Sequence, residues 1–251
     1  MMRAFKSLFW IEFKLSVRAM NLVLFGLFSP AVVAVIIGVI YGAKPAFDGA
    51  GYSFMAQSFG ALSGIGICAT GLMGLPLALA DYRHRKILKR FEVTPVSPGM
   101  LLFVQVAVNF VYALAAMAMV YGICRMFGGG WEGGSFLYFG LSFLLVTVSI
   151  YSLGMLVASV AGNIKTANLL CTVLYFPMLI FSGATLPYEV MPPALQHVAD
   201  IMPMTQGVKL MKNAALGLPI ENAAVPVAVM VILAVICVVY PSVFSDGNKI
   251  P

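Results

Sequence analysis

Six long windows without a charged residue constrain this sequence more than any other feature. Each window exceeds the roughly 20 residues that a helix needs to cross a hydrocarbon core of about 30 Å. The windows are Ala19–Ala43, Gly49–Ala80, Val93–Cys124, Gly133–Ile164, Thr166–Tyr188 and Asn222–Ser245. Helices satisfy their own backbone hydrogen bonds in lipid, and the windows lack the alternation of barrel strands. The sequence therefore predicts an all-α, polytopic membrane protein with six transmembrane helices.

Composition and residue type locate these spans within the windows. Only 10% of the residues are charged and 61% are hydrophobic, whereas a soluble domain carries about 25% charged residues. The predicted spans are Leu22–Tyr41, Phe54–Ala80, Met100–Phe127, Phe136–Val160, Asn168–Thr185 and Ala223–Tyr240. Prolines predict bends at Pro30 and Pro76. The second span carries eight small residues between Gly60 and Gly74, which predict close packing against other helices.

Positive charges are distributed unevenly between the two sides of the membrane. If successive connections alternate sides, eleven Lys and Arg residues lie on the side of both termini and four on the other. The positive-inside rule then predicts cytoplasmic N and C termini. Because topology accounts for the net charge of +6, no nucleic-acid partner is needed to explain it. We interpret residues 1–251 as a single transmembrane domain in the plasma membrane.

Residues that would carry catalytic or ion-coupled chemistry are sparse. The four cysteines are far apart and form no CxxC or Cys/His cluster, so neither a metal site nor a disulfide framework is predicted. Almost no ionisable residue falls within a predicted span, which disfavours a proton-coupled carrier. A dyad of Ser182 with His197 lacks an oxyanion glycine motif. The chain has no GxxxxGK[ST] loop, so we expect it not to be an ATPase and to bind no cofactor itself.

The N-terminal arm, residues 1–20, is amphipathic if it is helical. Arg3, Ser7, Lys14 and Arg18 then fall within a sector of about 60°. Such a helix would lie in the membrane interface with its basic edge toward lipid phosphates. The alternative is a basic flank that only sets the orientation of the first span. We favour the interfacial helix.

The connection after the second span, residues 81–98, combines basic and apolar residues. Read as a helix from Tyr82 to Phe91, it presents an apolar ridge bordered by five basic residues. The ridge consists of Ile87, Leu88 and Phe91, and the basic residues are Arg83, Arg85, Lys86, Lys89 and Arg90. Thr94-Pro95 then stops the helix, because the residue before proline avoids the α region. A helix of this kind can dock in a groove on a soluble partner. The alternative is a basic loop that only determines topology.

The connection between the fifth and sixth spans is punctuated by prolines. Pro187 ends the fifth span, Pro192-Pro193 can begin a short helix, and Pro203 ends it. A second short helix is predicted over Thr205–Leu216, stopped by Gly217. The connection is more apolar than a disordered loop. Residues 187–221 are therefore predicted to form a re-entrant helical hairpin on the outer side.

Two of these stretches resemble the membrane subunits of ABC-2 type exporters. The inner stretch KILKRFEVTPVSP is similar to the family pattern through Leu88, Lys89, Arg90, Thr94, Pro95, Val96 and Ser97. The run after the fifth span is similar through Ser182, Gly183, Pro187, Glu189, Pro192, Pro203 and Gly217. The resemblance covers nearly the whole chain and implies a type V exporter fold, with the drug- and antibiotic-export members as the nearest subgroup.

This resemblance also implies partners and a mechanism. Two permease subunits would pair around a path, above two ATP-binding subunits that hold ATP and Mg. ATP-driven closure would pass through Arg83–Phe91 with Thr94 and Pro95, and through the arm that carries Arg3, Lys14 and Arg18. The outer hairpin would gate or plug the exit. Whether the pair is a homodimer or a heterodimer stays open.

The expected cargo is an amphipathic small molecule such as a drug, an antibiotic or a lipid-like compound. An uncharged path rich in methionine and phenylalanine would suit such cargo, because these side chains adapt to varied shapes. Export of a polysaccharide or lipo-oligosaccharide is the alternative. From another class, a non-transport membrane scaffold or an intramembrane enzyme stays open. The implied source is bacterial.

Overall fold

The computed structural model describes residues 2–20, 22–42, 44–46, 51–85, 98–129, 131, 133–183, 188, 191–218 and 224–245. Throughout these residues the regular structure is helical, apart from one isolated bridge between Pro45 and Ser53. The α-helices are α1 (Met2–Ala19), α2 (Ser29–Tyr41), α3 (Phe54–Cys68), α4 (Leu75–His84), α5 (Pro98–Met126), α6 (Phe136–Val160), α7 (Ile164–Phe181), α8 (Pro193–Ile201), α9 (Pro203–Leu216) and α10 (Ala224–Ser245). The all-α prediction is confirmed.

Five helical segments in the described part of the chain are long and apolar enough to cross a membrane. They are Val23–Tyr41, Phe54–His84, Gly99–Met126, Phe136–Val160 and Ile164–Phe181. The fourth has the predicted bounds. The fifth begins at Ile164 rather than Asn168, because the Asn163 side chain caps the helix by accepting a hydrogen bond from the Thr166 amide at 2.8 Å. It ends at Phe181, short of the predicted Thr185. In α10, Ala224–Val238 forms a shorter apolar stretch.

The first two spans each contain a π-helical segment. These are π1, Val23–Phe28, and π2, Ala69–Gly74. Each ends two residues before a proline, and that proline is the second residue of the α-helix that follows. Proline lacks an amide hydrogen and crowds the carbonyl of the preceding turn, so a wider turn accommodates it. A π segment therefore precedes each proline at which a bend is predicted, Pro30 and Pro76, and the two segments pack against each other.

The second span, made of α3, π2 and α4, lies at the centre of the bundle. Every residue from Met55 to Cys68 is buried. α3 packs against α2, α5 and α9, whereas π2 and α4 pack against α6 and α7. Small residues permit these contacts: a methyl group at Gly71 would lie 2.7 Å from the ring of Tyr151. The prediction that this span is closely packed is confirmed.

The N-terminal helix α1 packs along the first half of α5. Its aromatic face and Leu8 contact Leu101, Val104 and Val108. Lys14 and Arg18 are exposed on other faces of the helix, as are the apolar Trp10 and Leu15. The arm is thus a helix, as the sequence predicted, and one of its faces packs against the bundle, which the sequence analysis did not predict. Its position at a membrane surface stays a prediction.

Candidate functional site

The chain between α7 and α10 forms two short helices that meet at Met202. Pro193 is the first residue of α8, and the side-chain amide of Gln196 donates to the carbonyls of Tyr188 and Met191 at 3.1 and 3.0 Å. The second helix, α9, begins at Pro203, two residues before the predicted start. Both helices of the predicted hairpin are therefore present, and prolines begin both of them.

Gly217 ends the second of these helices. Its φ of 67° and ψ of 21° place it in the left-handed region, which glycine adopts without steric cost. Its amide donates to the carbonyl of Asn213. The predicted stop is confirmed with the expected chemistry.

The helix α9 is built into the bundle along its length. Its buried residues, which include Met204, Met211 and Leu216, pack against α3, α6 and α10. The closest approach is to α3, where a methyl group at Gly60 would lie 2.7 Å from the backbone nitrogen of Lys212. Only a residue without a side chain allows this contact. The second span and α9 thus form one packed unit.

A cavity of about 140 Å³ lies between the start of α3, the end of α7 and one side of α9. We call it the hairpin pocket. More of its wall is apolar than polar, and the polar side chains among its lining residues include Gln57, Ser58, Ser182, Thr205, Lys209 and Lys212. The Thr205 hydroxyl donates to the carbonyl of Phe181 at 2.9 Å, which ties α9 to the end of α7. Three separate segments of the chain therefore converge on one cavity.

A charged cluster fixes one side of this pocket. Lys209 Nζ lies 2.6 Å from Asp200 Oδ1 and 4.0 Å from the centre of the Tyr188 ring, which is a cation–π distance. The Tyr188 hydroxyl donates to the other carboxylate oxygen of Asp200 at 2.9 Å. Burial alone would raise the pKa of Asp200, but the hydrogen bonds from Lys209 and Tyr188 outweigh it and hold this pKa below its usual value. Burial, followed by the hydrogen bond to Asp200, raises the pKa of Tyr188.

The predicted gate residues fall into three groups. Ser182 and Gly183 line the hairpin pocket, and the Ser182 hydroxyl donates to the carbonyl of Leu179 at 2.8 Å. Pro192, Pro203 and Gly217 stand at helix ends instead. Pro187 and Glu189 lie outside the described residues.

A second polar region lies at the other end of the second span, around Glu12 of α1. We call it the Glu12 cluster. Glu12 is 6% exposed, and its carboxylate accepts hydrogen bonds from the hydroxyl of Tyr82 in α4 and, at 2.8 Å, from the amide of Gln105 in α5. The Gln105 amide also donates to the Tyr82 hydroxyl at 3.0 Å. Burial raises the pKa of Glu12, and the two hydrogen bonds oppose this effect. The cluster joins three helices at one point.

Two of the predicted coupling residues are described, and both lie at the end of α4. Arg83 donates to the carbonyl of Ala158 near the end of α6. Arg85 forms an ion pair with Asp81 at 2.9 Å, but its backbone has left the helix. The helix predicted from Tyr82 to Phe91 therefore does not continue through Arg85, and α4 ends at His84 instead. Basic side chains in its last turn, Arg83 and His84, interact favourably with the negative end of the helix dipole.

The other predicted coupling residues lie outside the described part of the chain. They are Lys86, Ile87, Leu88, Lys89, Arg90, Phe91, Thr94 and Pro95. In the N-terminal arm, Lys14 and Arg18 are exposed, and the side chain of Arg3 is outside those described. The coupling role of all these residues stays a prediction.

Sequence reasoning missed the residues that organise both polar regions. It did not single out Glu12, Gln105 or Asp200. The signal for Glu12 was available: it is the only acidic residue in an arm that otherwise carries basic charge. Within the described residues, no group of three His, Cys, Asp or Glu side chains could hold a metal ion.

Comparison with known proteins gives this architecture a family. The model of the protein family described as "ABC-2 type transporter" matches residues 3–216 of this chain. Nodulation protein J of Rhizobium leguminosarum bv. viciae is 31% identical over 101 residues, which are 40% of this chain and 39% of that protein. Nodulation protein J of Rhizobium meliloti (strain 1021) is 28% identical over 92 residues, 37% of this chain and 35% of that protein.

These alignments therefore span less than two fifths of the curated relatives, whereas the family match covers most of the chain. Together with the apolar helices, that match identifies a multi-pass membrane protein. This chain belongs to the ABC-2 type transporter family.

Proposed function

We propose that this chain is the membrane-spanning permease subunit of an ATP-driven exporter in a bacterial plasma membrane. It would move an amphipathic molecule from the cytoplasm or the inner leaflet to the outside, with energy supplied by a separate ATP-binding subunit. The observation that carries this proposal is the family match over residues 3–216, a range that includes both the hairpin pocket and the Glu12 cluster. The helical bundle around a buried second span supports it.

The proposed topology has six spans, with α10 as the last. Helix α10 packs against α6, and the Ser149 hydroxyl donates to the carbonyl of Met230 at 2.8 Å across that contact. The hairpin pocket and the Glu12 cluster lie at opposite ends of the second span. Gln57 and Tyr82 are 25 positions apart in it, so about 37 Å of helix separates them, more than the hydrocarbon core. With cytoplasmic termini, the pocket faces outward and the hairpin is re-entrant.

The energy source is proposed to be a partner of this chain. The assembly would contain two permease subunits and two ATP-binding subunits, with ATP and Mg bound only on the latter. We expect the purified chain alone to hydrolyse no ATP, and the chain purified with its ATP-binding subunit to do so. Robust turnover by the isolated chain would contradict this proposal.

Coupling is proposed to run through the connection after α4 and through α1. The Glu12 cluster supports this route, because it hydrogen-bonds α1 to α4 and α5 immediately before that connection. The double substitution Leu88→Asp with Phe91→Asp should abolish copurification with the ATP-binding subunit while membrane insertion persists. Lys165→Gln, an exposed change in the first turn of α7, is the control. Unchanged copurification of the double variant would remove the docking interpretation.

Two cargo classes remain, and two observations favour the lipo-oligosaccharide class over a drug-like compound. The name of the relatives refers to nodulation and not to drug resistance. The hairpin pocket is lined by hydroxyl, amide and amino groups, which suit a hydroxylated headgroup better than an aromatic drug. ATP-dependent uptake into inside-out vesicles of a fluorescent glycolipid and of a hydrophobic dye would decide between them. Uptake of neither compound would favour a scaffold or an intramembrane enzyme.

A further inference from the structure

We infer that α7 transmits movement between the two ends of the bundle, from the end of α4 to the hairpin helix α9. Arg83 is the positioning residue at the first end, and Thr205 is the positioning residue at the second. The inference rests on the proposed function for the source of the movement, which is ATP-driven displacement of the connection after α4. The contacts that would transmit it belong to this chain.

The end of α4 is joined to the turn between α6 and α7. Ala80 forms a buried apolar cluster with Ala161 in that turn and with Ala167 near the start of α7. Three residues further along α4, and therefore on the same face, Arg83 donates to the carbonyl of Ala158. Ala158 lies in the last turn of α6, where carbonyls lack a partner within the helix. We call these five residues the α4 junction.

The other end of α7 is joined to α9 by similar chemistry. Phe181 is the last residue of α7, so its carbonyl also lacks a partner within the helix. The Thr205 hydroxyl donates to this carbonyl at 2.9 Å, and Thr205 is 1% exposed. At both ends, a side chain from another helix satisfies a carbonyl at a helix terminus. The 18 residues of α7, about 27 Å of helix, separate the α4 junction from this contact.

Within this chain, α7 is held on one face only. Of its residues, 22% are buried, whereas 78% are buried in an 18-residue stretch of the second span. The buried residues of α7 share one face, and they are Ala167, Cys171, Tyr175 and Met178. The opposite face is exposed and carries Leu169, Val173, Phe176 and Ile180. A helix with few buried contacts shifts more readily than an enclosed one, so α7 can follow the elements attached to its ends.

The last turn of α7 is the part that can bend. Pro177 lies inside the helix and has no amide hydrogen to donate to the preceding turn. The helix is therefore weakest just before Phe181. Movement of α7 changes the direction of this turn, and the Thr205 bond passes the change to α9. Ser182 and Gly183 follow directly and line the hairpin pocket, so the shape of the pocket changes as well.

Amide hydrogen exchange of the purified full chain tests the α4 junction without an ATP-binding subunit. Arg83→Met keeps the length of the side chain but removes the donor to Ala158. We expect exchange of the hydrogen-bonded amides of Ala161 and Ala167 to become about fivefold faster, the effect of losing one hydrogen bond. Arg85→Met is the matched control, because Arg85 lies at the same helix end but pairs with Asp81 of α4 itself.

Cysteine labelling in the complex tests whether movement reaches the far end. Asn213→Cys places a reporter on α9, because Asn213 lines the hairpin pocket and is half-buried, whereas the four native cysteines are buried. We expect a non-hydrolysable ATP analogue to change its rate of labelling by a hydrophilic maleimide about fivefold or more. Arg83→Met and Thr205→Val should each reduce that change about twofold or more, and Arg85→Met should preserve it.

Several results would overturn the inference. They are unchanged exchange in Arg83→Met, equal effects of Arg83→Met and Arg85→Met, and a full labelling response in Thr205→Val. Each variant is checked for a monodisperse elution profile. Arg83→Lys keeps a donor and should restore both readouts, which keeps the test valid if Arg83→Met misfolds.

Failure of this inference is distinguishable from failure of the proposed function. If the complex hydrolyses ATP but the reporter is labelled at the same rate with and without the analogue, α7 transmits no movement and the proposed function stands. A complex that hydrolyses no ATP contradicts the proposed function instead. The exchange experiment on the chain alone then still decides whether Arg83 holds the α4 junction together.

Discussion

The polar groups at the two ends of the second span differ in whether they enclose a cavity. The Glu12 cluster is closed: one buried carboxylate, a hydroxyl and an amide satisfy one another inside a contact between three helices. The hairpin pocket is open: its lysines and hydroxyls surround a cavity, and Lys209 and Asp200 are each about one-third exposed. A closed network fixes helices in one arrangement, whereas an open one can accept a ligand. The same span thus has a closed polar network at one end and a cavity at the other.

The largest expected effect tests the closed end. Glu12→Ala removes the acceptor shared by Tyr82 and Gln105 and leaves buried donors with fewer partners. We expect a loss of about 2–4 kcal/mol in the free energy of unfolding, measured by thermal melts in detergent. Glu12→Gln keeps an acceptor at the same place and should lose less than about 1 kcal/mol. Equal losses in the two variants would show that the hydrogen bonds are unimportant.

The next effect tests whether the open end rests on a rigid frame. Gly60→Ala places a methyl group against the backbone of Lys212 and should lower stability by about 1–3 kcal/mol. The same change at Gly122, which has open space around it in α5, should raise stability by up to about 1 kcal/mol because alanine favours helix. Melting temperatures of the purified variants measure both. Shifts of the same sign would contradict the close contact.

The two ends should respond to pH in opposite directions. The folded-state pKa of Glu12 is raised, so its contribution to stability is full below about pH 4 and is lost as pH rises through that higher pKa. The folded-state pKa of Asp200 is lowered, so its contribution is present above about pH 4 and is lost as pH falls through that lower pKa.

Melts across this pH range on the wild type, Glu12→Gln and Asp200→Asn would measure the two contributions. As pH rises, the wild type should lose stability relative to Glu12→Gln. The difference for Asp200→Asn should shrink as pH falls. If both differences follow pH in the same direction, the contrast between the two ends is wrong.

The smallest effect on stability belongs to the exposed ion pairs. Lys209→Gln should lower stability by less than about 1 kcal/mol, and Arg85→Gln by about 0.5 kcal/mol or less, because solvent screens both pairs. A large stability loss in Lys209→Gln would mean that the pocket is held together by charge.

Much of the fold follows from residue spacing alone. Uncharged windows located five spans, and for Phe136–Val160 the bounds agree with the structure. Proline and glycine chemistry located the short helices at Pro193 and Gly217. These signals are local, since a charge ends a span and a proline begins a helix wherever they occur. The small residues around Gly60 likewise predicted a close helix contact, which α3 makes with α9.

What escaped the sequence depends on contacts between distant residues. Glu12 is polar in a basic arm, and nothing near it in sequence tells that Tyr82 and Gln105 close over it. The pairing of Lys209 with Asp200 across the bend at Met202 likewise depends on the three-dimensional arrangement of two helices. The π segments were also missed, because hydropathy does not register one extra residue in a turn.

Those π segments change how the two spans must be aligned with related chains. A turn that closes over five residues rather than four holds one residue more than the α-helix around it, so the faces on either side are offset by about 100°. Deleting one residue within Ala69–Gly74 would restore a continuous α-helix and rotate α3 against α4 by that angle. The extra residue in this π segment therefore determines how the pocket end of the span is rotated relative to its Glu12 end. A length difference of one at this place in a relative is a change of geometry, not a neutral gap.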